Sequence, residues 1–457
     1  MGLSPPLNAP TLTVRVTGLD GDAAALAVPL ESEPGSAPIR VYGGVPGDHA
    51  VVTVLSRGRN ATWTDLLHVL GTSPDRVPAP CPHARTCGGC PWQAVSRPAQ
   101  LRAKAARLRA LMDGSPNLRM LADQPFRSSP RILGFRTKLQ MPIGGAPGAL
   151  TAGFYGPHSK SLVVVDDCVV QHPLGERVRR AVLNHLNQHR VAPWHDEDGT
   201  GELRTLLLRV SEYEEHVALV LVVGDASRRD WVALGQELIA EIPGLVSVGQ
   251  NLNAARQNVV LGPITTPLAG RVLLTERILG VDIDVDTASF FQTSAVGATL
   301  LAEAVRDACP PAFPRFLEVY SGTGLFARTL ADRYEHATLI ERSDGGARAA
   351  VARFPTARVV QGDADAALRA LAHDDTPSAP DLILLDPPRG GLGPTADAVA
   401  ALSPPRVVLV SCSPDAFVRD VDRLASHGYA AVRVEGVDLF PHTPHFEVVT
   451  LLQKAQL

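Results

Sequence analysis

The chain has 457 residues, of which 45% are hydrophobic and 20% charged, and its formal net charge is −4. That length implies two or three domains, each able to bury a core, while the composition excludes disorder and the charge excludes a global pull toward nucleic acid. No stretch reaches membrane-spanning length without charge, and the first thirty residues lack a basic start followed by an unbroken apolar run, so a cytoplasmic protein is expected.

Short runs that alternate apolar and polar positions ("LTVRVTGL", "AAALAVPL", "IRVYGG", "HAVVTVL") occupy residues 10–70, punctuated by turns such as Val45-Pro46-Gly47-Asp48. They predict a small antiparallel β-barrel of the oligonucleotide-binding kind over 1–75, with Arg57-Gly58-Arg59 at a strand end. A proline-rich linker follows and opens a region, 76–275, that carries three cysteines within ten residues: Cys81, Cys87 and Cys90. Six cysteines in a chain this long do not make a secreted disulfide framework; such crowding points to metal or cluster ligation. "SRPAQLRAKAARLRALMDG" predicts a helix stopped by glycine. Between Arg97 and Lys138 ten cations stand against Asp113 and Asp123, either a solvated helix face or a surface turned toward phosphates. Residues 130–270 read as strand-rich, with Cys168 among them.

Over 276–457 strands alternate with helices. "RFLEVYSGTGLFARTLADRY" predicts strand, glycine turn and amphipathic helix, in which Gly322-Thr323-Gly324 lets the backbone approach a ligand. Glu341 ends the next strand about twenty residues on, where a carboxylate can bind ribose hydroxyls. Asp386-Pro387-Pro388-Arg389 ends a third strand and turns the chain sharply out of the sheet. "HDDTPSAPD" is a polar loop between them. Cys412 ends the apolar run Val407–Val410, at the sheet edge where open α/β folds do chemistry. By position alone it is an inert buried thiol or a nucleophile. Glu447, between Phe446 and Val448, is a half-exposed strand residue or a catalytic carboxylate with a raised pKa.

"LDPPRGG", "VSCSPD" and "FPHTPHFEVVTLL", in that order, resemble the RNA uracil-5-methyltransferases, which convert uridine to 5-methyluridine with S-adenosylmethionine. "SFFQTS", "LEVYSGTG", "LIERS" and "VQGDA" are similar to the family's other segments, and "CPHARTCGGCPWQ" with "VDDCVVQHP" resembles the branch acting on 23S ribosomal RNA, which carries an N-terminal TRAM barrel. The resemblance implies an α/β multidomain protein: a TRAM-like RNA-binding barrel (1–75), a central cysteine-cluster domain with the basic helix (76–275), and a Rossmann-like methyltransferase domain (276–457). It implies Cys412 as nucleophile toward uracil carbon 6 and Glu447 as the base that removes the carbon 5 proton. Gln292, Tyr320, Glu341, Asp363 and Asp386 are the expected cofactor residues, with Arg389 facing a phosphate or a uracil carbonyl.

Cys81, Cys87, Cys90 and Cys168 suit structural zinc or a [4Fe-4S] cluster on physical grounds, and the resemblance favours the cluster. Cys309 is expected in the core, and His442 and His445 shape a loop. The substrate is expected to be 23S ribosomal RNA, with transfer RNA and a catalytically inactive RNA-binding iron-sulfur protein as alternatives, and the chain is expected to be a monomer. Ser413, Leu325 and Ser294 stand where the family commonly has asparagine.

Overall fold

The computed structural model describes residues 9–30, 38–122, 126–255, 259–373 and 379–455. Asp123 and most of the polar loop at 373–381 lie outside the described residues. Strands Thr11–Gly18, Ala25–Pro29, Ile39–Tyr42, His49–Arg57 and Thr62–Gly71 close into a barrel. The alternation of the sequence is what closes it: Val14, Val16, Ala25, Ala27, Val41, Ala50 and Val52 all point inward and are buried together. The barrel departs from the antiparallel expectation in one pairing, since Ile39–Tyr42 runs parallel to Thr62–Gly71. The turn leaving the third strand is held by Asp48, fully buried, which accepts the amides of Val45 at 2.9 Å and Ser73 at 3.0 Å and pairs with Arg76 at 2.5 Å.

A seven-stranded sheet follows, in the order Thr265–Gly270, Leu245–Leu252, His216–Val223, Leu203–Ser211, Lys138–Ala146, Ala149–Tyr155, Leu162–Val164. Its central strands are near-continuous apolar runs because helices Pro173–Gln188 and Trp231–Glu241 cover them with Val178, Val182, Leu186, Trp231, Leu234 and Leu238.

The last domain is built on an eight-stranded sheet. Five parallel strands lie in the order Arg358–Gln361, His336–Glu341, Arg315–Val319, Leu382–Leu385, Arg406–Ser411. This is the 3-2-1-4-5 winding of a Rossmann-like sheet, as expected. Beyond it the final strand, Glu447–Lys454, inserts antiparallel to Arg406–Ser411 and is flanked by Tyr429–Asp438. Cys309 is buried in this domain's core, as expected.

The basic helix forms over Arg97–Gly114, capped by Ser96 and ended by its glycine. It does not present an open cationic stripe. Leu108 and Met112 join the apolar core of the last domain. The side chain of Lys104 is fully buried and donates to Asp438 at 2.7 Å and to the carbonyl of Phe440 at 2.9 Å, while Arg97 pairs with the same carboxylate. Arg102, Arg107, Arg109, Arg127 and Arg131 pair with Asp75, Asp415, Asp113, Glu435 and Glu212. Seven of the ten cations thus neutralise carboxylates of this chain, several across the joint between domains. Among the described residues no helix is long and apolar enough to cross a membrane.

Candidate active site

One cleft of about 890 Å³ gathers residues from all three parts of the chain. The strand ends of the last domain supply Tyr320, Gly322, Glu341, Asp386, Arg389, Cys412 and Glu447, and the approach to helix Ala295–Ala308 supplies Gln292. The barrel adds Asp22, the cysteine loop adds Gly88 and Gly89, and Arg136 and His158 close the rim. Every expected catalytic and cofactor residue except Asp363 lines this cleft. Asp363 caps helix Ala364–Ala372, accepting the amides of Asp365 and Ala366, and its charge acts on Tyr320.

The glycine turn is held in the conformation that makes it useful. Tyr320, Gly322 and Gly324 have φ of 62°, 53° and 75°, so the chain coils back on itself at the strand end. The Tyr320 hydroxyl donates to Thr395 at 3.1 Å, which fixes its ring. Glu341 spans the two strand ends: Gly322 donates its amide to Oε2 at 2.8 Å and Ser343 donates to Oε1 at 2.7 Å. Each oxygen keeps a lone pair for a further donor. A Cβ at Gly346 would come within 2.9 Å of the Glu341 side chain and 3.0 Å of the Gly322 carbonyl, so this position must stay bare. A Cβ at Gly322 would meet nothing within 4 Å, which leaves open space on the cavity side.

The predicted helix after the turn is only Leu325–Thr329, and one of its first amides is already engaged: Ala327 donates to Glu318 at 2.8 Å. Glu318, outside the cleft lining, is a positioning residue that sequence reasoning missed. It lies buried inside "RFLEV", pushed up to about 8 mainly by desolvation, and ties the strand to the turn from beneath. An acid within an otherwise apolar buried strand was the available signal.

Asp386, half-buried at the cleft wall, is pushed up to about 7 by loss of water around it. Glu447 is only 4% exposed and is pushed up to about 8 by burial and by Asp386, with Arg389 opposing. Burial, then the charges of Glu447 and Asp386, push the Cys412 thiol up to about 11, and Arg389 again opposes. Asp386 raises Glu447, and both raise Cys412, so the titration of the thiol is linked to the two carboxylates. Among the described residues, no hydrogen bond or ion pair to another residue occupies the side chains of Asp386, Arg389, Cys412 or Glu447. The Asp-Pro-Pro-Arg turn is held from behind by Asp420, whose two oxygens both accept the Leu392 amide at 3.0 Å.

Two of the departures from the family pattern have structural explanations. Ser413 caps helix Pro414–Ser426 through the amide of Ala416, and Ser294 caps helix Ala295–Ala308 through that of Gly297. Serine and asparagine are near-equivalent at this position. Leu325 is simply buried as the first residue of its short helix. His442 shapes the loop before Glu447, as expected: its backbone amide donates to Gln100 at 2.8 Å, and its ring contacts Gln100 and the carbonyl of Ile132. His445 lines the cleft, edge-on to Phe440.

The four cysteines lie beside this cleft on two loops. Gly88 donates to the carbonyl of Tyr155, and Trp92 to that of His442, so the cysteine loop is fastened to both the central sheet and the active-site loop. Cys81 and Cys87 act on Cys90 electrostatically, and Cys90 acts on Cys168, so all four belong to one neighbourhood. No three of the sulfurs lie within 4.8 Å of one another. A tetrahedral zinc with Zn–S of about 2.3 Å needs sulfurs about 3.8 Å apart, whereas a four-iron cluster, ligated at four separate irons, spreads them further. Burial holds Cys90 and Cys168 up to about 11 and about 12, so without a cation to hold they are neutral thiols, and the Arg136 charge opposes that rise at Cys90.

A family model described as tRNA (uracil-5-)-methyltransferase matches residues 374–455. An uncharacterized RNA methyltransferase of Gloeobacter violaceus is 30% identical over 98% of this chain and 98% of its own length. Another, from Geobacter sulfurreducens, is 30% identical over 95% of this chain and 90% of its own. The crystal structure of the Pyrococcus abyssi tRNA (uracil-54, C5)-methyltransferase in complex with S-adenosyl-L-homocysteine superposes with a TM-score of 0.76, covering 96% of this chain and 100% of that one at 22% identity, and so shares the fold.

Proposed function

The chain belongs to the RNA uracil-5-methyltransferase family, and from that premise we propose that it methylates carbon 5 of a uridine in 23S ribosomal RNA through a covalent adduct between Cys412 and carbon 6. The observation that carries this reading is the set of unpartnered groups in the cleft: a thiol, two carboxylates and a guanidinium, all free to meet a ligand. The glycine turn, with Tyr320 and Glu341, would hold S-adenosylmethionine, which would supply the methyl group.

In this reading Glu341 takes the ribose hydroxyls on its two spare lone pairs, and Gly322 leaves the room they need. Asp363, which does not line the cleft, is assigned to the adenine by the family resemblance alone. Gln292 offers one donor group and one acceptor to the uracil edge and the cofactor. Cys412 sulfur, once deprotonated, adds to carbon 6, and the electrons of the C5–C6 double bond move toward carbon 5 and oxygen 4. Arg389 favours that ionisation, since its charge lowers both Cys412 and Glu447. After carbon 5 takes its methyl group, Glu447 as carboxylate removes the carbon 5 proton. The double bond re-forms and expels the Cys412 sulfur. A carboxylate raised to about 8 is a stronger base than an ordinary one, which suits this step.

The four cysteines would hold a [4Fe-4S] cluster, which when bound ties the Cys81–Cys90 loop to the Cys168 loop at the cleft rim. The barrel, TRAM-like in this reading, would grip RNA beside the target. In support, Trp63 stacks on Tyr42 at 5.6 Å, packs against His158 at 5.3 Å and carries Arg40 over its face at 5.4 Å, next to the rim residue His158. Aromatic rings and guanidinium planes are what unstacked bases stack upon.

Transfer RNA is the second reading, favoured by the description of the matching family model and by the substrate of the Pyrococcus enzyme. One assay tests both. The protein is incubated with S-adenosylmethionine and either transcribed 23S RNA or transfer RNA, and 5-methyluridine is mapped by mass spectrometry. Product in 23S RNA, abolished by Cys412→Ala, is expected. Product only in transfer RNA moves the substrate, and persistence in Cys412→Ala sinks the covalent mechanism.

A further inference from the structure

Far from the cleft, on the outer side of the seven-stranded sheet, two helices bring together a set of groups that the methyl-transfer chemistry does not use. His185 lies in the last turn of helix Pro173–Gln188, and His189 is that helix's C-cap. Glu237 and Glu241 lie in helix Trp231–Glu241. Both pairs are spaced four apart, which puts each pair on one helix face. The ring nitrogens Nε2 of His185 and His189 converge on the same carboxylate oxygen of Glu237, at 3.5 and 3.2 Å, and the three atoms lie within 4.8 Å of one another. The two imidazoles stack, with centroids 4.5 Å apart.

From these observations we propose that His185, His189 and Glu237 form a binding site for a divalent transition cation, zinc by its donor set. Ligands about 2.0–2.1 Å from a tetrahedral zinc stand about 3.3 Å from each other, close to the 3.5 and 3.2 Å from Glu237 to the two nitrogens, while the nitrogens themselves lie within 4.8 Å. The hydrogen-bond geometry allows it as well. His185 is 5% exposed, and its Nδ1 meets Glu241 at 3.0 Å. With Nδ1 donating to Glu241, Nε2 carries a bare lone pair, and that buried nitrogen has no hydrogen-bond partner. It then faces a carboxylate oxygen, and two acceptors turned toward each other are reconciled by a metal cation between them or by a proton on Nε2, which the test below separates. A carboxylate behind one histidine nitrogen and a metal before the other is the usual way such a ligand is oriented. Two imidazoles and one carboxylate suit zinc among divalent ions, and the half-exposed side chain of Glu237 leaves a solvent side for water as fourth ligand. The ion would cross-link the two helices that cover the sheet.

The test uses the full chain as purified, equilibrated by dialysis at fixed free Zn²⁺, with metal per chain counted for wild type, His189→Ala and Glu237→Gln. The cysteines contribute equally to all three. Wild type is expected to retain one equivalent more than either variant, and Glu241→Ala to keep that equivalent with affinity about 10–100-fold weaker. Co²⁺ substituted for zinc should add visible bands without the sulfur-to-metal absorption that thiolates give, and these bands should be missing in His189→Ala. Methyl transfer by His189→Ala should be unchanged. Equal metal in wild type and both variants overturns the proposal and leaves a protonated His185 shared by two carboxylates. So does a Co²⁺ spectrum that His189→Ala does not alter.

Discussion

Cys412 and Glu447 are adjacent because the last strand of the chain runs antiparallel beside the strand that ends in the thiol. Ser411 pairs with Val448, so one residue further on Cys412 comes level with Glu447. The two then share one cleft, one desolvated surrounding and one nearby cation, and the Cys412 thiol titrates in the field of Glu447.

Glu447→Gln should stop the reaction after methyl transfer, because the amide cannot take the carbon 5 proton. The expected outcome is a protein–RNA species that survives denaturing electrophoresis and carries one methyl group per chain. Free methylated RNA released at the wild-type rate would remove Glu447 from the mechanism.

Arg389 lowers the pKa of both Cys412 and Glu447, so Arg389→Ala should raise both. The reaction needs the ionised forms, and the rising limb of the single-turnover rate against pH should therefore move to higher pH. Activity lost at pH 7 should return in part at pH 9. A uniform loss at every pH would instead assign Arg389 to binding alone.

Glu341→Gln replaces one acceptor oxygen with a donor facing either the Gly322 or the Ser343 amide. One of those amides loses its partner, at about 1–3 kcal/mol, and a ribose acceptor is lost as well. Calorimetric titration with S-adenosylhomocysteine should show affinity roughly 10-fold or more weaker, while RNA binding stays near wild type.

Trp63→Ala removes the stacking surface on the barrel. Base–aromatic stacking is worth about 1–3 kcal/mol, so RNA affinity should fall roughly 10-fold. The rate at saturating RNA should stay near wild type, since Trp63 does not line the cleft. An unchanged affinity would take the barrel's aromatic face out of RNA recognition.

Glu318 is raised from 4.5 to about 8 in the folded chain. Between those values the folded state holds a proton that the unfolded state has released, so this group's stabilisation is complete below about pH 4.5 and lost as pH rises through about 8. Glu318→Gln keeps an acceptor for the Ala327 amide and does not titrate. Its melting temperature should decline less than that of wild type from pH 5 to pH 8, measured by calorimetry.

Local pattern carried much of this molecule. Alternation along residues 10–70 closes a barrel because inward side chains of every strand must share one small core. The apolar runs ending in Glu341, Asp386 and Cys412 become the parallel strands of a wound sheet, and their polar last residues are left at the edge where the helices begin. Ser413 and Ser294 were legible as departures from a family pattern, though not as the helix caps that explain them.

Tertiary structure decided the rest, for one reason: charges and lone pairs take their meaning from neighbours distant in sequence. A basic stripe became an internal clamp because Asp438 lies more than three hundred residues from Lys104 and Arg97. Glu318 looked like part of an apolar strand until the turn above it folded down and presented an amide. His185 and Glu237 meet only because two helices cover the same sheet. And the thiol of Cys412, legible as a strand end, acquires its acid partner only when the last strand slides in beside it.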